Sequence, residues 1–177
     1  MFVTVVIAFP DMDAKGFAMQ LEGSCHCGAI TFSVASRTPY PFNYCYCSIC
    51  RKTAGGGGYA INLMGDTPTL RVEGSEYLAV YQAQIDGRTS TAMRHFCSRC
   101  GTHLWLWDPR WPDLIHPLAS AIDTDLPETP ERVHLMLGSK ASWCTIPEES
   151  PKDRHFDVYP EESIEDWHRA RGLLQPD

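Results

Sequence analysis

Long apolar runs are missing from this sequence, and so are basic ones. No segment approaches the roughly 20 consecutive apolar residues of a transmembrane helix, so no membrane span is expected. The apolar-leaning stretch from Phe2 to Phe9 lacks a basic leader, and residues 1–18 read as an edge strand or a disordered extension. No lysine- or arginine-rich run is present and the formal net charge is −7. Such a surface repels nucleic acid and anionic lipid, so neither is expected as a partner. The glycine run Gly55–Gly58 is not followed by the Lys and Ser/Thr of a phosphate-binding loop, which leaves it a bland loop or a flexible lip. No G-x-S-x-G elbow supports a serine hydrolase.

What remains is an ordinary globular composition. The chain has 177 residues, 44% hydrophobic and 21% charged, which suits one domain over residues 19–177. The absence of a leader or span points to the cytoplasm, where thiols stay reduced. Short segments rich in β-formers recur between glycine, proline or charged turns: Ala29–Val34, Tyr59–Leu63, Thr69–Val72, Tyr77–Tyr81, Thr102–Trp107 and Val133–Leu137. This pattern predicts an all-β domain of hairpins. Helix is expected near the C-terminus, where Ser163 can cap a segment with Glu165 and Asp166 in its first turn and Gly172 after its end. Ile164 and Trp167 would face the core. A single turn can follow Cys47, capped by Ser48, and Pro109–Pro130 reads as an irregular surface excursion.

Eight cysteines are present, and seven fall in short motifs: Cys25-His-Cys27, Cys45-Tyr-Cys47-Ser-Ile-Cys50 and Cys97-Ser-Arg-Cys100. In a reducing compartment, clustering of this kind points to metal rather than disulfides. Cys27 precedes Gly28 and Cys100 precedes Gly101. A glycine there lets the backbone take a positive φ and turn its amides toward the sulfurs, as zinc knuckles require. The pairing predicts one closed, tetrahedral zinc site made of Cys25, Cys27, Cys97 and Cys100.

Cys45, Cys47 and Cys50 differ. Arg51 follows them instead of glycine, and Cys144 sits apart in the apolar context SWCTI, which reads as packed strand. Three protein ligands and an open position are the ligand set of a catalytic zinc. Three thiolates leave a Zn²⁺ centre formally negative and a weaker Lewis acid, suited to holding an external thiol as a nucleophilic thiolate. The competing reading is a second structural zinc completed by His95, His103 or His116. Arg51 and Lys52 are candidates to hold the carboxylates of an anionic thiol, against the plain alternative of two solvated charges. His103, Trp105 and Trp107 alternate along one strand face, as core or cleft wall.

The segments LEGSCHCGAITFSV, YCYCSICRKTAG, RHFCSRCGTHLW, SKASW and SIEDWHRARGL together resemble the glutathione-dependent formaldehyde-activating enzyme family, which includes centromere protein V-like proteins. The resemblance runs from about Met19 to Gly172 and implies a β-tent fold with two zinc ions per chain. It places Cys25, Cys27, Cys97 and Cys100 as structural ligands, and Cys45, Cys47 and Cys50 as ligands of an exposed, catalytic-type zinc. The implied reaction joins glutathione to formaldehyde as S-hydroxymethylglutathione, a carbon–sulfur lyase activity in reverse. The alternative is a non-catalytic zinc module that recognises a protein or peptide. Nothing in the sequence names the oligomeric state.

Overall fold

The computed structural model describes residues 18–176, so the expectation for the N-terminal extension lies almost wholly outside the described residues. Three small sheets carry the chain. The first joins β1 (Met19–Ser24) and β2 (Thr31–Ser36), and β2 in turn pairs with a later strand. β3 (Asn43–Cys45) leads into α1 (Ser48–Thr53), followed by β4 (Ala60–Ile61), β5 (Gly65–Asp66) and β6 (Arg71–Glu73), which closes the first sheet against β2. β7 (Leu78–Ile85), β8 (Arg88–Cys97), β9 (His103–Trp107) and β10 (Leu114–Pro117) form the second sheet in the order β5-β10-β9-β8-β7. β11 (Arg132–Leu135) and β12 (Asp153–His155) complete the third, in the order β12-β11-β3-β4, and α2 (Ile164–Ala170) ends the fold. The architecture is all-β with short helices, as the strand-rich pattern and the resemblance imply.

Alternation builds the first sheet. Leu21 and Gly23 of β1 and Phe32, Val34 and Ser36 of β2 point inward, while Gln20, Glu22 and Thr31 do not. Gly23 is required by close approach, because a Cβ there would lie 2.3 Å from the Ala121 carbonyl oxygen. The long β7–β8 hairpin turns on Asp86-Gly87, with φ values of 49° and 75°. That pair of left-handed residues is what a two-residue turn between right-twisted strands demands.

The third sheet is not made of hairpins alone. β11 lies parallel to both β3 and β12, and only β3 and β4 pair antiparallel. Two hydrophobic cores result. One gathers Leu21, Ile30, Val34, Leu63, Leu104 and Trp105 around Cys25 and Cys97. The other gathers Phe42, Leu118, Val133, Leu135 and Trp167 around Cys45 and Cys50.

Several segments differ from expectation. Strand in Tyr59–Leu63 is limited to Ala60–Ile61, and the start of Thr69–Val72 is a 3₁₀ turn over Thr67–Thr69. The stretch from Pro109 to Pro130 contains β10, which sits between β5 and β9 rather than wandering over the surface. Its Pro117 ends the strand, where a missing amide is tolerated. The turn expected after Cys47 is a six-residue helix that includes Cys50, and its N-cap is Cys47, not Ser48. Cys144 is buried, but it follows a turn over Ser142 and Trp143, which its amide closes onto the Ala141 carbonyl, rather than lying in a strand. α2 forms as expected: the Ser163 hydroxyl accepts from the Asp166 amide at 3.1 Å, and Trp167 is buried against Phe42, their rings stacked at 3.8 Å.

Candidate metal centres

The structure brings Cys25, Cys27, Cys97 and Cys100 together, with all their sulfurs within 4.8 Å of one another. The two contributing loops are near copies. The Cys25 amide donates to the Ile30 carbonyl at 3.0 Å and the Cys97 amide to the Thr102 carbonyl at 2.9 Å. The Gly28 amide donates to the Cys25 carbonyl at 2.9 Å and the Gly101 amide to the Cys97 carbonyl at 2.8 Å. Gly28 and Gly101 have φ of 71° and 76°, and neither has an atom within 4 Å of where a Cβ would stand. Their need for glycine is therefore conformational, not steric. The loops are also tied to each other, since the His26 amide donates to the Thr102 hydroxyl at 3.1 Å.

The spacing fits a metal. A regular tetrahedron with metal–sulfur bonds of about 2.3 Å has S···S edges of about 3.8 Å. The Cys25–Cys27 and Cys27–Cys97 sulfurs are 3.6 and 3.9 Å apart. The Ile30 amide lies 3.2 Å from the Cys25 sulfur, positioned to stabilise negative charge on it.

Cys45, Cys47 and Cys50 also have their sulfurs within 4.8 Å of one another. Strand geometry sorts this segment. Cys45 ends β3, Cys47 caps α1, and Tyr46 between them is turned into the fold, where its hydroxyl meets His134 Nδ1 at 2.9 Å. His134 Nε2 lies 3.1 Å from Asp153, which Arg132 holds at 2.8 Å. This buried chain anchors the backbone between the two cysteines. The Cys50 amide donates to the Cys47 sulfur at 3.3 Å. Packed this closely, the three thiols oppose one another's ionisation, and their mutual hydrogen bonds favour thiolate at Cys47 first. Cys45 is pushed far above the ordinary thiol range by its bonds with Cys47 and Cys50. Bringing all three to thiolate needs a positive ion, so the donor set fits a metal as well.

Among the described residues, no histidine, carboxylate or fourth cysteine joins this trio within 4.8 Å. His116 Nδ1 instead meets the Leu63 carbonyl at 3.0 Å, and His95 is stacked on Trp105. Cys144 lies by the glycine loop, its thiol 3.6 Å from the Gly57 carbonyl. Of the two candidate substrate contacts, Lys52 is exposed on α1, and Arg51 is half-buried with its Nε unpartnered. One residue that sequence reasoning passed over stands close by. Arg94 of β8 is buried, and its charge acts on Cys50. Its signal was an arginine in phase with the inward-facing Ala92. None of the eight cysteines is in a disulfide, and no helix among the described residues is long and apolar enough to cross a membrane.

An all-β fold carrying two separate sulfur clusters, one of four cysteines and one of three, each able to hold a metal ion, defines the class of domain. Residues 20–138 match the family model of the glutathione-dependent formaldehyde-activating enzyme. The chain belongs to that family. It is 65% identical over 155 residues to a Halomonas elongata protein named "Putative glutathione-dependent formaldehyde-activating enzyme", an alignment covering 88% of this chain and 98% of that one. A crystal structure of a Rhodobacter sphaeroides protein is 28% identical, covers 62% of this chain and 92% of its own, and superimposes with a TM-score of 0.46.

Proposed function

We propose that this protein is a zinc-dependent enzyme that joins glutathione, or a closely similar thiol, to formaldehyde or another small aldehyde. The observation that carries this reading is the three-cysteine cluster with no fourth protein ligand among the described residues. In this reading two zinc ions are held per chain. Cys25, Cys27, Cys97 and Cys100 would hold a structural ion between two distant hairpins, while Cys45, Cys47 and Cys50 would hold the second ion, next to which the thiol binds. Zinc bound there supplies a Lewis acid that keeps an incoming thiol deprotonated at neutral pH. The Tyr46–His134–Asp153 chain keeps Cys45 and Cys47 in register for that ligation. Arg51 and Lys52, farther along α1, serve as outer contacts for the anionic groups of the thiol. A carbon–sulfur bond forms between the thiol sulfur and the aldehyde carbon. The C=O π bond becomes the new hydroxyl, and the thiol's proton reaches that oxygen through solvent.

In this reading residues from Met19 onward act as one domain, which is supported by a third sheet that joins β3 and β4 to the distant β11 and β12. Clustering of seven cysteines as metal ligands, with none in a disulfide, favours a reducing, cytoplasmic setting. No nucleic-acid or membrane partner belongs to this reading. Exchange NMR with labelled formaldehyde and glutathione tests it, measured against a protein-free blank because the uncatalysed addition is itself quick. The zinc-loaded protein should exceed the blank, and Cys47→Ser should return to it. Failure across a panel of small thiols would leave the non-catalytic, partner-binding module as the better reading.

A further inference from the structure

Beside the three-cysteine cluster lies a cavity of about 380 Å³ lined by Thr53, Tyr81, Arg94, Phe96, Gly101 and His103. It runs from α1 to the knuckle that carries Cys97 and Cys100. Thr53 is three residues beyond Cys50 on α1, about 4.5 Å along the helix axis, so the cavity begins within one turn of the trio. Two of its lining residues are buried polar groups without partners. Arg94 is 6% exposed, and its Nε and Nη1 have no hydrogen-bond acceptor. His103 is 7% exposed, and neither ring nitrogen has a partner. Among the described residues no carboxylate pairs with Arg94.

Buried polar groups are rarely left so, and a buried guanidinium whose N–H groups find no acceptor is especially costly. Orphans of this kind mark a place where something else completes the bonding. Burial and the neighbouring Arg94 charge hold His103 well below its usual range, to about 4, which leaves its ring neutral and able to donate one hydrogen bond at neutral pH. A buried guanidinium with N–H donors still unused, beside a neutral imidazole donor, suits one ligand chemistry above others, a planar carboxylate. Aromatic walls from Tyr81 and Phe96 suit the carbon chain that bears it.

We propose that Arg94 and His103 form a buried carboxylate subsite that anchors the thiol substrate next to the three-cysteine cluster. Arg94 is the primary contact, and Arg51 and Lys52 contribute outside it. The identity of the molecule bearing the carboxylate rests on the thiol-plus-aldehyde reading above. The subsite would make the enzyme selective for acidic thiols over neutral ones of the same size.

Isothermal titration of the zinc-loaded protein with three probes tests this: glutathione, its diethyl ester, and S-methylglutathione. The ester should bind at least about tenfold more weakly than the acid, the loss expected for one charged hydrogen-bonded contact. Arg94→Gln should shrink that gap to about twofold or less, and Arg94→Lys should restore part of it, because lysine keeps the charge without the fork. Arg51→Gln should shrink it less than Arg94→Gln does. Zinc content and circular dichroism establish that each variant is folded; if Arg94→Gln is not, His103→Gln must narrow the gap in its place. Equal binding of acid and ester by the wild type overturns the proposal, as does a gap that survives Arg94→Gln. Glutathione binding no tighter than S-methylglutathione would count against thiol ligation while leaving the subsite readable from the ester gap. No binding of any probe overturns both.

Discussion

Cys27→Ala isolates what the four-cysteine clasp does for the fold. Cys27 is exposed, so its removal leaves no cavity in the core, whereas Cys25 and Cys97 are buried. Loss of stability in this variant therefore reports the metal and not packing. Cys27 and Cys97 are 70 residues apart. Closing a loop of that length with a cross-link removes unfolded-chain entropy equivalent to about 4 kcal/mol at room temperature. The trio closes loops of only a few residues, and Cys47→Ala there loses mainly a helix-cap bond to the Cys50 amide, about 1 kcal/mol. Urea unfolding of zinc-loaded wild type and both variants, with metal content measured in parallel, gives the comparison. Cys27→Ala should lose one zinc and about 4 kcal/mol, a large share of the roughly 5–15 kcal/mol of a typical domain. Cys47→Ala should lose one zinc and stay folded. A Cys27→Ala protein within 1 kcal/mol of wild type, or equal costs at the two sites, would refute the assignment of the clasp as structural.

Other perturbations probe the supports of the trio. Trp167→Ala should cost about 3–5 kcal/mol by calorimetry, because the ring is buried on Phe42 in the core that also holds Cys45 and Cys50; zinc at the trio should then exchange faster. Tyr46→Phe should cost about 1–2 kcal/mol in urea unfolding, since it strands buried His134 Nδ1, with a smaller effect on the four-cysteine site. Stability should also fall as pH drops from 6.5 toward 4. His103 is held down to about 4 by burial and by Arg94, so over that window the unfolded chain binds its proton and the folded chain does not. His103→Gln should remove on the order of 2 kcal/mol of that pH dependence, read from unfolding curves at several pH values.

The cysteine motifs were legible because a metal knuckle is local chemistry. Its shape is set by two sulfurs, the residues between them and one glycine, and Gly28 and Gly101 show the positive φ that this requires. The C-terminal helix was legible for the same reason, since Ser163 and the acidic first turn lie within one turn of each other. β11 was legible as a strand within Val133–Leu137, but β3, β12 and the pairing of all three were harder. They are three or four residues long and pair in parallel across wide sequence separations, so little in each strand alone reveals its partner. β8 was missed because its polar stretch Arg88–Thr91 masks the strand, although Asp86-Gly87 marks its hairpin turn. Arg94 was missed with it. On an isolated strand an arginine reads as solvated, and only the fold turns it beside Cys50 and His103.

The proposed activity requires that a zinc held by Cys45, Cys47 and Cys50 keep a position for an external sulfur. Zinc K-edge X-ray absorption on protein loaded with two zincs, with and without glutathione, measures this. Without the thiol the mean should be about 3.5 sulfurs per zinc, four at one site and three at the other, with a light atom completing the second. With saturating glutathione it should rise to about 4 and the light-atom contribution should vanish. A mean already at 4 before glutathione, or one that stays unchanged when glutathione is added, would contradict the open site.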